Sequence, residues 1–234
     1  MLSKAHPRYE SLVLRDKIVK ASKEGYLADS AMIAHGRGEA FDYLLGEKTT
    51  LPAKRAMYAT VAMMILSKNP VISVNGNTTA LAIDEIIEFA KVIGAKIEIN
   101  LFYRTDERVD KITELYKSHG YPEILGSRDD EITYINEIKN PRASASKTGI
   151  YSADTILVPL EDGDRAEILK RAELGAPVPV RGPVEITIQC SSEKAVSFPV
   201  RWSHRIRAAM ILPPRYSSRC SSVQGYSDTV SVVR

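Results

Sequence analysis

The chain has 234 residues, of which 44% are hydrophobic and 26% charged, and its formal net charge is +3. These proportions are ordinary for a globular protein of one domain, or of one domain with an appendage. The small net charge gives no reason to expect a nucleic acid or a membrane as partner, but it is compatible with a local basic site for an anionic substrate.

The cysteines and the N-terminal residues indicate the cell compartment of the protein and whether disulfides or zinc sites are to be expected. Cys190 and Cys220 lack the spacing of a disulfide framework or a zinc site. Residues 1–10 are polar and lack the apolar core of a signal peptide. The longest apolar stretch, residues 56–66, is too short to span a bilayer. We therefore expect a cytoplasmic protein.

The first part of the chain is predicted to be helical. Apolar residues recur at helical spacing through residues 12–23. A second helical stretch covers residues 27–45, and we predict an interruption at His35-Gly36-Arg37-Gly38. Pro52 begins a third helix, which ends at Asn69-Pro70 because a residue before proline disfavours helical backbone.

Strands and helices then alternate. The predicted strands are short and consist mostly of apolar residues, which is typical of parallel strands buried on both faces. Residues 127–149 are polar and are predicted to form an irregular surface excursion. The predicted fold class is therefore α/β, a parallel sheet flanked by helices with an N-terminal helical segment. The strands are residues 71–74, 97–101 and 155–160, and the helices are 84–93, 105–119 and 164–174.

The composition changes after about residue 175. From Glu185 onward there are three acidic residues against seven Lys or Arg, together with ten serines. No strand–helix alternation is visible there. We therefore divide the chain into an α/β core, residues 1–175, and an atypical C-terminal segment, residues 176–234.

Polar residues follow each predicted strand of the core. They are Asn75-Gly76-Asn77, Arg104-Thr105 and Glu161-Asp162-Gly163-Asp164-Arg165. If the strands are parallel, all three strings lie at the carboxyl edge of the sheet, where ligands of α/β proteins bind.

These residue types suit the binding of an anion. Gly76 would let the backbone approach a phosphate, and Asn75 and Asn77 carry amide donors. The N–H groups that open the next helix add positive potential. Arg37 and Arg104 carry the fork of donors that matches a phosphate or a carboxylate.

Each of these residues also has a purely structural interpretation. The carboxylates Glu161, Asp162 and Asp164 could bind Mg²⁺, or Asp164 could cap a helix beside solvated neighbours. Asn-Gly-Asn is also an ordinary turn, and His35 beside two glycines could be a turn residue. The common nucleotide-binding fingerprints are absent from the sequence. The residues by themselves therefore indicate an anion-binding α/β enzyme and nothing more specific.

Five strings of the sequence are informative together: residues 6–12, 34–47, 69–77, 100–105 and 157–165. In this order they resemble the archaeal phosphopantothenate synthetase family, the 4-phosphopantoate–β-alanine ligases. The resemblance covers about the first three-quarters of the chain, on the order of 170 residues. It implies a homodimer with a Rossmann-like core that joins 4-phosphopantoate and β-alanine with ATP in coenzyme A biosynthesis. The products would be 4′-phosphopantothenate, AMP and pyrophosphate, formed through an acyl-adenylate.

The resemblance also implies roles for individual residues. Arg15 and Arg37 match positions that contact the nucleotide. Mg²⁺ is expected with ATP, although no residue is assigned as its ligand. The acidic string, residues 161–165, is expected to organise Mg²⁺ or the β-alanine amine. The residues assigned to catalysis are Arg104, Asp162 and Asp164. Those assigned to substrate binding are His35, Asn75, Asn77, Arg104, Thr105, Glu161 and Arg165.

The resemblance fails beyond about residue 175. The family continues there with segments that recognise adenine and ribose, whereas this chain has the proline-rich residues 177–183, and only Ile186-Thr187-Ile188 partly matches. One hypothesis is a shifted reading frame, a sequencing error or a gene truncation, and the other is genuine divergence. Three functional alternatives stay open: a non-catalytic binder of phosphorylated acids or nucleotides, a different amide-forming ligase, and a C-terminal segment that binds an acidic partner or RNA.

Overall fold

The computed structural model describes residues 4–46, 49–134 and 143–160, together with three strands further along the chain. Three helices precede the sheet, as predicted. They are α1 (Tyr9–Lys23), α2 (Asp29–Leu45) and α3 (Leu51–Leu66). Thr50 caps α3 by accepting a hydrogen bond from the backbone N–H of Ala53, and Pro52 occupies the first turn, where its missing N–H costs nothing.

Helix α2 is continuous through His35-Gly36-Arg37-Gly38, so the predicted interruption is wrong. Neither Gly36 nor Gly38 has a positive φ. His35 and Glu39 are both buried and lie one helical turn apart, so they share a face of the helix. Tertiary contacts along that face therefore override the weak helix propensity of the two glycines.

Strands and helices alternate after α3, in the predicted order. The helices are α4 (Gly76–Ile93) and α5 (Asp106–Ser118). The strands are β1 (Pro70–Val74), β2 (Lys96–Ile99), β3 (Ile132–Tyr134), β4 (Ser144–Ser146), β5 (Thr155–Pro159), β6 (Val184–Thr187), β7 (Ala208–Leu212) and β8 (Ser231–Val232).

The main sheet has the strand order β2-β1-β5-β7-β6-β8. Its first three strands are parallel, with Ile72 of β1 opposite Ile97 of β2 and Leu157 of β5. All residues of β1 and β5 are buried, which explains why these strands are apolar apart from Ser73 and Thr155. The α/β class, with parallel strands flanked by helices and an N-terminal helical segment, is confirmed. Strands β7, β6 and β8 extend this sheet with antiparallel pairing.

Helix α4 begins eight residues earlier than predicted. Asn75 is its N-cap, and Gly94, in the left-handed conformation, is its C-cap. The backbone of Ala82 is not helical (φ −151°), which separates the first turns from the rest of the helix. The sequence pattern revealed only the part after this break, because the first turns contain the polar residues Asn77, Thr78 and Thr79.

Residues 143–146 are buried, so the predicted surface excursion is wrong for this part. Strand β4 pairs with β3 in a separate two-stranded sheet. The buried carboxylate of Glu98 on β2 accepts hydrogen bonds from the backbone N–H groups of Ser146 (2.9 Å) and Ile150 (2.6 Å). These bonds attach the excursion to the main sheet. The predicted helix 164–174 lies outside the described residues.

Within the described part of the chain, no helix is both long enough and apolar enough to cross a membrane.

Candidate functional site

A cavity of about 380 Å³ lies at the carboxyl edge of the parallel strands, where the sequence predicts a ligand site. Its walls come from the start of α2 and from the segments that follow β1, β2 and β5. The residues that line it are Leu27, Ala28, Ser30, Ala31, Ala34, Arg37, Asn75, Gly76, Asn77, Leu101, Phe102, Tyr103, Arg108 and Leu160. The prediction that the three strand ends meet at one edge is confirmed, since each contributes to this lining.

Asn75 joins two of these strand ends. Its Oδ1 accepts hydrogen bonds from the backbone N–H (2.9 Å) and the hydroxyl of Thr78. Asn75 thereby caps α4. Its Nδ2 donates to the carbonyl oxygen of Leu160 (3.0 Å), the residue after β5. The sequence predicted an amide that donates to an anion. In the structure, the Asn75 side chain joins two segments of the cavity wall, and its role as a donor to an anion stays a prediction.

Gly76 allows the start of α4 to pack closely against the segment before α2. A Cβ atom at this position would lie 3.0 Å from Leu27 Cδ1 and 3.1 Å from the Tyr26 carbonyl oxygen. The close backbone approach that the sequence assigned to a phosphate therefore occurs between α4 and the segment before α2.

Asn77 has an unsatisfied polar atom at the cavity. Its Oδ1 is buried and has no hydrogen-bond partner in the described structure. A buried amide oxygen without a donor is unfavourable, so a ligand hydroxyl or amine at this point would be stabilising.

Two guanidinium groups line the cavity, from Arg37 on α2 and Arg108 on α5. The Nε and Nη2 atoms of Arg108 donate to the Tyr26 carbonyl oxygen (3.4 and 3.3 Å), and Nη1 donates to the Tyr103 carbonyl oxygen. Burial lowers the pKa of Arg108. The sequence analysis did not select this residue, although an arginine in the first turn of a helix that follows a strand end is a usable signal.

Among the described residues, the predicted site residues Arg104, Thr105 and His35 do not contribute to the lining. Arg104 donates from Nη2 to the Gly126 carbonyl oxygen (2.7 Å), and burial lowers the pKa of Arg104 despite nearby acidic groups. Thr105 caps α5 by accepting a hydrogen bond from the backbone N–H of Arg108, as predicted. His35 is buried on α2. The ligand-binding roles of these three residues stay predictions.

Arg15 belongs to a polar cluster between α1 and α2. Its Nη2 donates to both carboxylate oxygens of buried Glu39, at 3.0 and 3.1 Å. The same carboxylate accepts hydrogen bonds from Arg8 (3.1 Å), Ser11 and Tyr43 (3.3 Å). About 44% of the Arg15 side chain is exposed.

Glu161, Asp162, Asp164 and Arg165 lie outside the described residues, although the chain enters this string directly from Leu160 in the cavity wall. Among the residues that are described, no group of three His, Cys, Asp or Glu side chains could hold a metal ion.

The fold and the cavity define the class: an α/β protein with a cavity at the carboxyl edge of its parallel strands, where α/β folds bind small molecules. A family model described as phosphopantothenate/pantothenate synthetase matches residues 52–176. The chain belongs to this family. The match ends at residue 176, which agrees with the predicted loss of resemblance.

Proteins named 4-phosphopantoate–β-alanine ligase are similar to this chain. The protein of Thermococcus kodakarensis is 53% identical over 171 residues, which are 73% of this chain and 65% of that protein. The protein of Methanosarcina mazei is 50% identical over 173 residues, or 74% of this chain and 66% of that protein. The protein of Methanospirillum hungatei is 46% identical over 169 residues, or 72% and 68%. The chain thus matches about two-thirds of the length of these relatives.

Proposed function

We propose that the chain is an ATP-dependent ligase that joins 4-phosphopantoate to β-alanine. The observation that carries this proposal is the cavity at the carboxyl edge, because it combines cationic donors with an apolar wall in a chain that is about half identical to proteins named for this activity.

The cavity suits an anion attached to a short branched hydrocarbon. Arg37, Arg108 and the first N–H groups of α4 supply positive potential. Leu101, Leu160 and the alanines of α2 supply apolar surface. A phosphorylated pantoate has this combination of groups, since its phosphate and carboxylate flank a dimethyl carbon. A volume of about 380 Å³ is near the lower end for ligand sites, which favours one small substrate.

The proposed reaction has two steps. A carboxylate oxygen of 4-phosphopantoate attacks the α-phosphorus of ATP, pyrophosphate leaves, and an acyl-adenylate forms. The β-alanine amine then attacks the acyl carbon, AMP leaves, and the nitrogen loses a proton as the amide forms. Negative charge increases at the phosphate in the first step and at the acyl oxygen in the second, so fixed guanidinium and N–H donors would stabilise both transition states.

The nucleotide is proposed to contact Arg37 at the cavity and Arg15 beside Glu39, on the strength of the family resemblance. Mg²⁺ would neutralise phosphate charge, and the carboxylates of Glu161, Asp162 and Asp164 are of the hard-oxygen type that it prefers. A homodimer also remains part of the proposal.

A second function is a non-catalytic binder of the phosphorylated acid or the nucleotide. The observation in its favour is that the family match ends at residue 176, before the segments to which the resemblance assigns adenine and ribose recognition. Such a protein would bind a substrate and release no pyrophosphate.

Pyrophosphate release by the full chain distinguishes the two. With ATP, Mg²⁺ and 4-phosphopantoate, a ligase releases pyrophosphate, and added β-alanine increases turnover and yields AMP. Pantoate in place of 4-phosphopantoate is the matched control for the substrate. Binding of 4-phosphopantoate by a folded chain without pyrophosphate release would support the binder and exclude the ligase.

A further inference from the structure

We propose that Arg108 binds a phosphate group of a substrate in the cavity at the carboxyl edge. This inference rests on the proposed function, and it adds a binding residue that neither the sequence motifs nor the family resemblance assigns. The phosphate belongs to 4-phosphopantoate or to ATP, and the experiment below distinguishes these two sources.

The first argument is charge. Among the described residues, Arg108 forms no ion pair, and its hydrogen-bond acceptors are the uncharged backbone carbonyl oxygens of Tyr26 and Tyr103. Partial burial lowers the pKa of Arg108, and no acidic group of the described residues opposes this effect. A partly desolvated cation without a counter-ion is unfavourable by itself, and a bound phosphate would supply the missing negative charge.

The second argument is position. Arg108 lies in the first turn of α5, where the helix dipole disfavours a positive side chain. The neighbouring positions Asp106 and Glu107 have the sign that the dipole favours. A cation at an electrostatically unfavourable position, in a cavity wall, is better explained by a ligand than by the stability of the helix.

The third argument is geometry. Arg108 lines the same cavity as Asn75, Gly76 and Asn77 at the start of α4. Its guanidinium is held by a carbonyl oxygen on each side, from the segment before α2 and from the segment after β2. This restraint fixes the orientation of the group before a ligand arrives, which reduces the entropy lost on binding. A guanidinium carries five N–H donors, so donors remain after these bonds.

The alternative is that Arg108 only holds the two backbone segments together. Lysine separates the two roles, because it keeps the positive charge but cannot reproduce the planar fork that reaches both carbonyl oxygens. If Arg108 binds phosphate, Arg108→Lys retains much of the affinity that Arg108→Met loses. If it only holds the segments, both variants lose affinity equally.

The experiment is calorimetric titration of the full chain with 4-phosphopantoate and, separately, with ATP and Mg²⁺. Arg128→Met is the matched control. Arg128 is exposed and forms ion pairs with Asp106 and Asp110, which belong to the same helix as Arg108. We expect Arg108→Met to lower the affinity for one of the two ligands about ten- to hundredfold, Arg108→Lys to lower it clearly less, and Arg128→Met to leave it unchanged. The ligand that is affected identifies the source of the phosphate.

Three results would overturn the inference. Equal losses in the Lys and Met variants would assign Arg108 a structural role. Affinities of Arg108→Met equal to those of Arg128→Met for both ligands would show that it contacts neither phosphate. If the unaltered chain binds neither ligand, the proposed function and this inference are both wrong, whereas the first two results leave the proposed function standing.

Discussion

Asn75 Nδ2 donates to the Leu160 carbonyl oxygen at 3.0 Å, and this bond joins the end of β1 to the residue that follows β5. Leu160 has a φ of +55°, the left-handed conformation that residues with a side chain rarely adopt. The next residue in the sequence, Glu161, begins the acidic string. An adverse backbone conformation beside a ligand cavity is a common feature of functional sites.

Substitution of Asn75 should separate its two structural roles. Serine is an equally good N-cap but is too short to reach Leu160, so Asn75→Ser should cost about 0.5–1.5 kcal/mol for the lost hydrogen bond. Alanine loses the cap as well, and Asn75→Ala should cost about 1 kcal/mol more than serine. Urea denaturation measures both values. Equal stabilities of the two variants would show that the cap contributes nothing.

Two glycine substitutions should have opposite effects on stability. A Cβ at Gly76 would lie 3.0 Å from Leu27 Cδ1 and 3.1 Å from the Tyr26 carbonyl oxygen, so Gly76→Ala should destabilise by about 1–3 kcal/mol. A Cβ at Gly36 would meet no atom within 4 Å, and Gly36 lies inside α2. Gly36→Ala should therefore stabilise by about 0.5–1 kcal/mol. Thermal unfolding of both variants checks the signs, and a destabilised Gly36→Ala would contradict a continuous α2.

The sequence was sufficient for most of the parallel core and insufficient for the excursion after α5. Strands β1 and β5 are mostly apolar runs, and Thr50, Thr105 and Gly94 are recognisable helix ends. Strand β4, Ser144–Ser146, has no such signal, because small polar residues are typical of loops. Its burial depends on the Glu98 carboxylate, which is distant in sequence.

The sequence predicted where the site lies better than it predicted which side chains line it. Parallel strand ends must meet at one edge, which is why the strings that begin at Asn75, Arg104 and Glu161 were expected together. Which side chains face the cavity depends on packing between elements that a one-dimensional pattern does not record. Arg104 hydrogen-bonds to Gly126 away from the lining, and Arg108, one helical turn later, lines the cavity instead.

Asp154 should make stability depend on pH. It accepts hydrogen bonds from the Ser67 hydroxyl and from the backbone N–H groups of Lys68 (2.8 Å) and Asn69 (2.9 Å), which join the start of β5 to the start of β1. Burial by itself would raise the pKa of Asp154, but these hydrogen bonds outweigh it and the pKa is lowered. A pKa that is lower in the folded than in the unfolded protein stabilises the fold at pH values above the pKa of the unfolded state, about 4. This contribution to the free energy of unfolding is lost as the pH falls through the pKa of the folded state.

Asp154→Asn should therefore be less stable than the unaltered chain at pH 7, by about 1–2 kcal/mol, with a difference that shrinks below about pH 4. Urea unfolding at a series of pH values from 7 down to 3 measures this difference. Asp129→Asn is the matched control, because Asp129 is exposed. A difference that stays constant with pH would show that the Asp154 carboxylate is not the titrating group.

Glu39 should be the residue on which the contact between α1 and α2 depends. Its carboxylate is 7% exposed and accepts hydrogen bonds from both Arg8 and Arg15, whereas the Arg8 side chain is 43% exposed. Glu39→Gln keeps the shape but leaves two arginines facing each other without a counter-charge, so it should destabilise by about 1–3 kcal/mol. Arg8→Met leaves Arg15 paired with Glu39 and should cost less than about 1 kcal/mol, as an exposed pair does.

The matched control for Glu39→Gln is Glu10→Gln, on the exposed part of α1. Urea denaturation of the three variants and of the double variant of Arg8 and Glu39 measures the coupling between the partners. If the carboxylate organises the cluster, the loss in the double variant is smaller than the sum of the single losses, because Arg8 no longer repels Arg15 once it has been removed. Two results would contradict this role of Glu39: strictly additive losses, or a Glu39→Gln loss no larger than that of Glu10→Gln. Either would show that apolar packing holds α1 and α2 together and that the Glu39 carboxylate does not position Arg15.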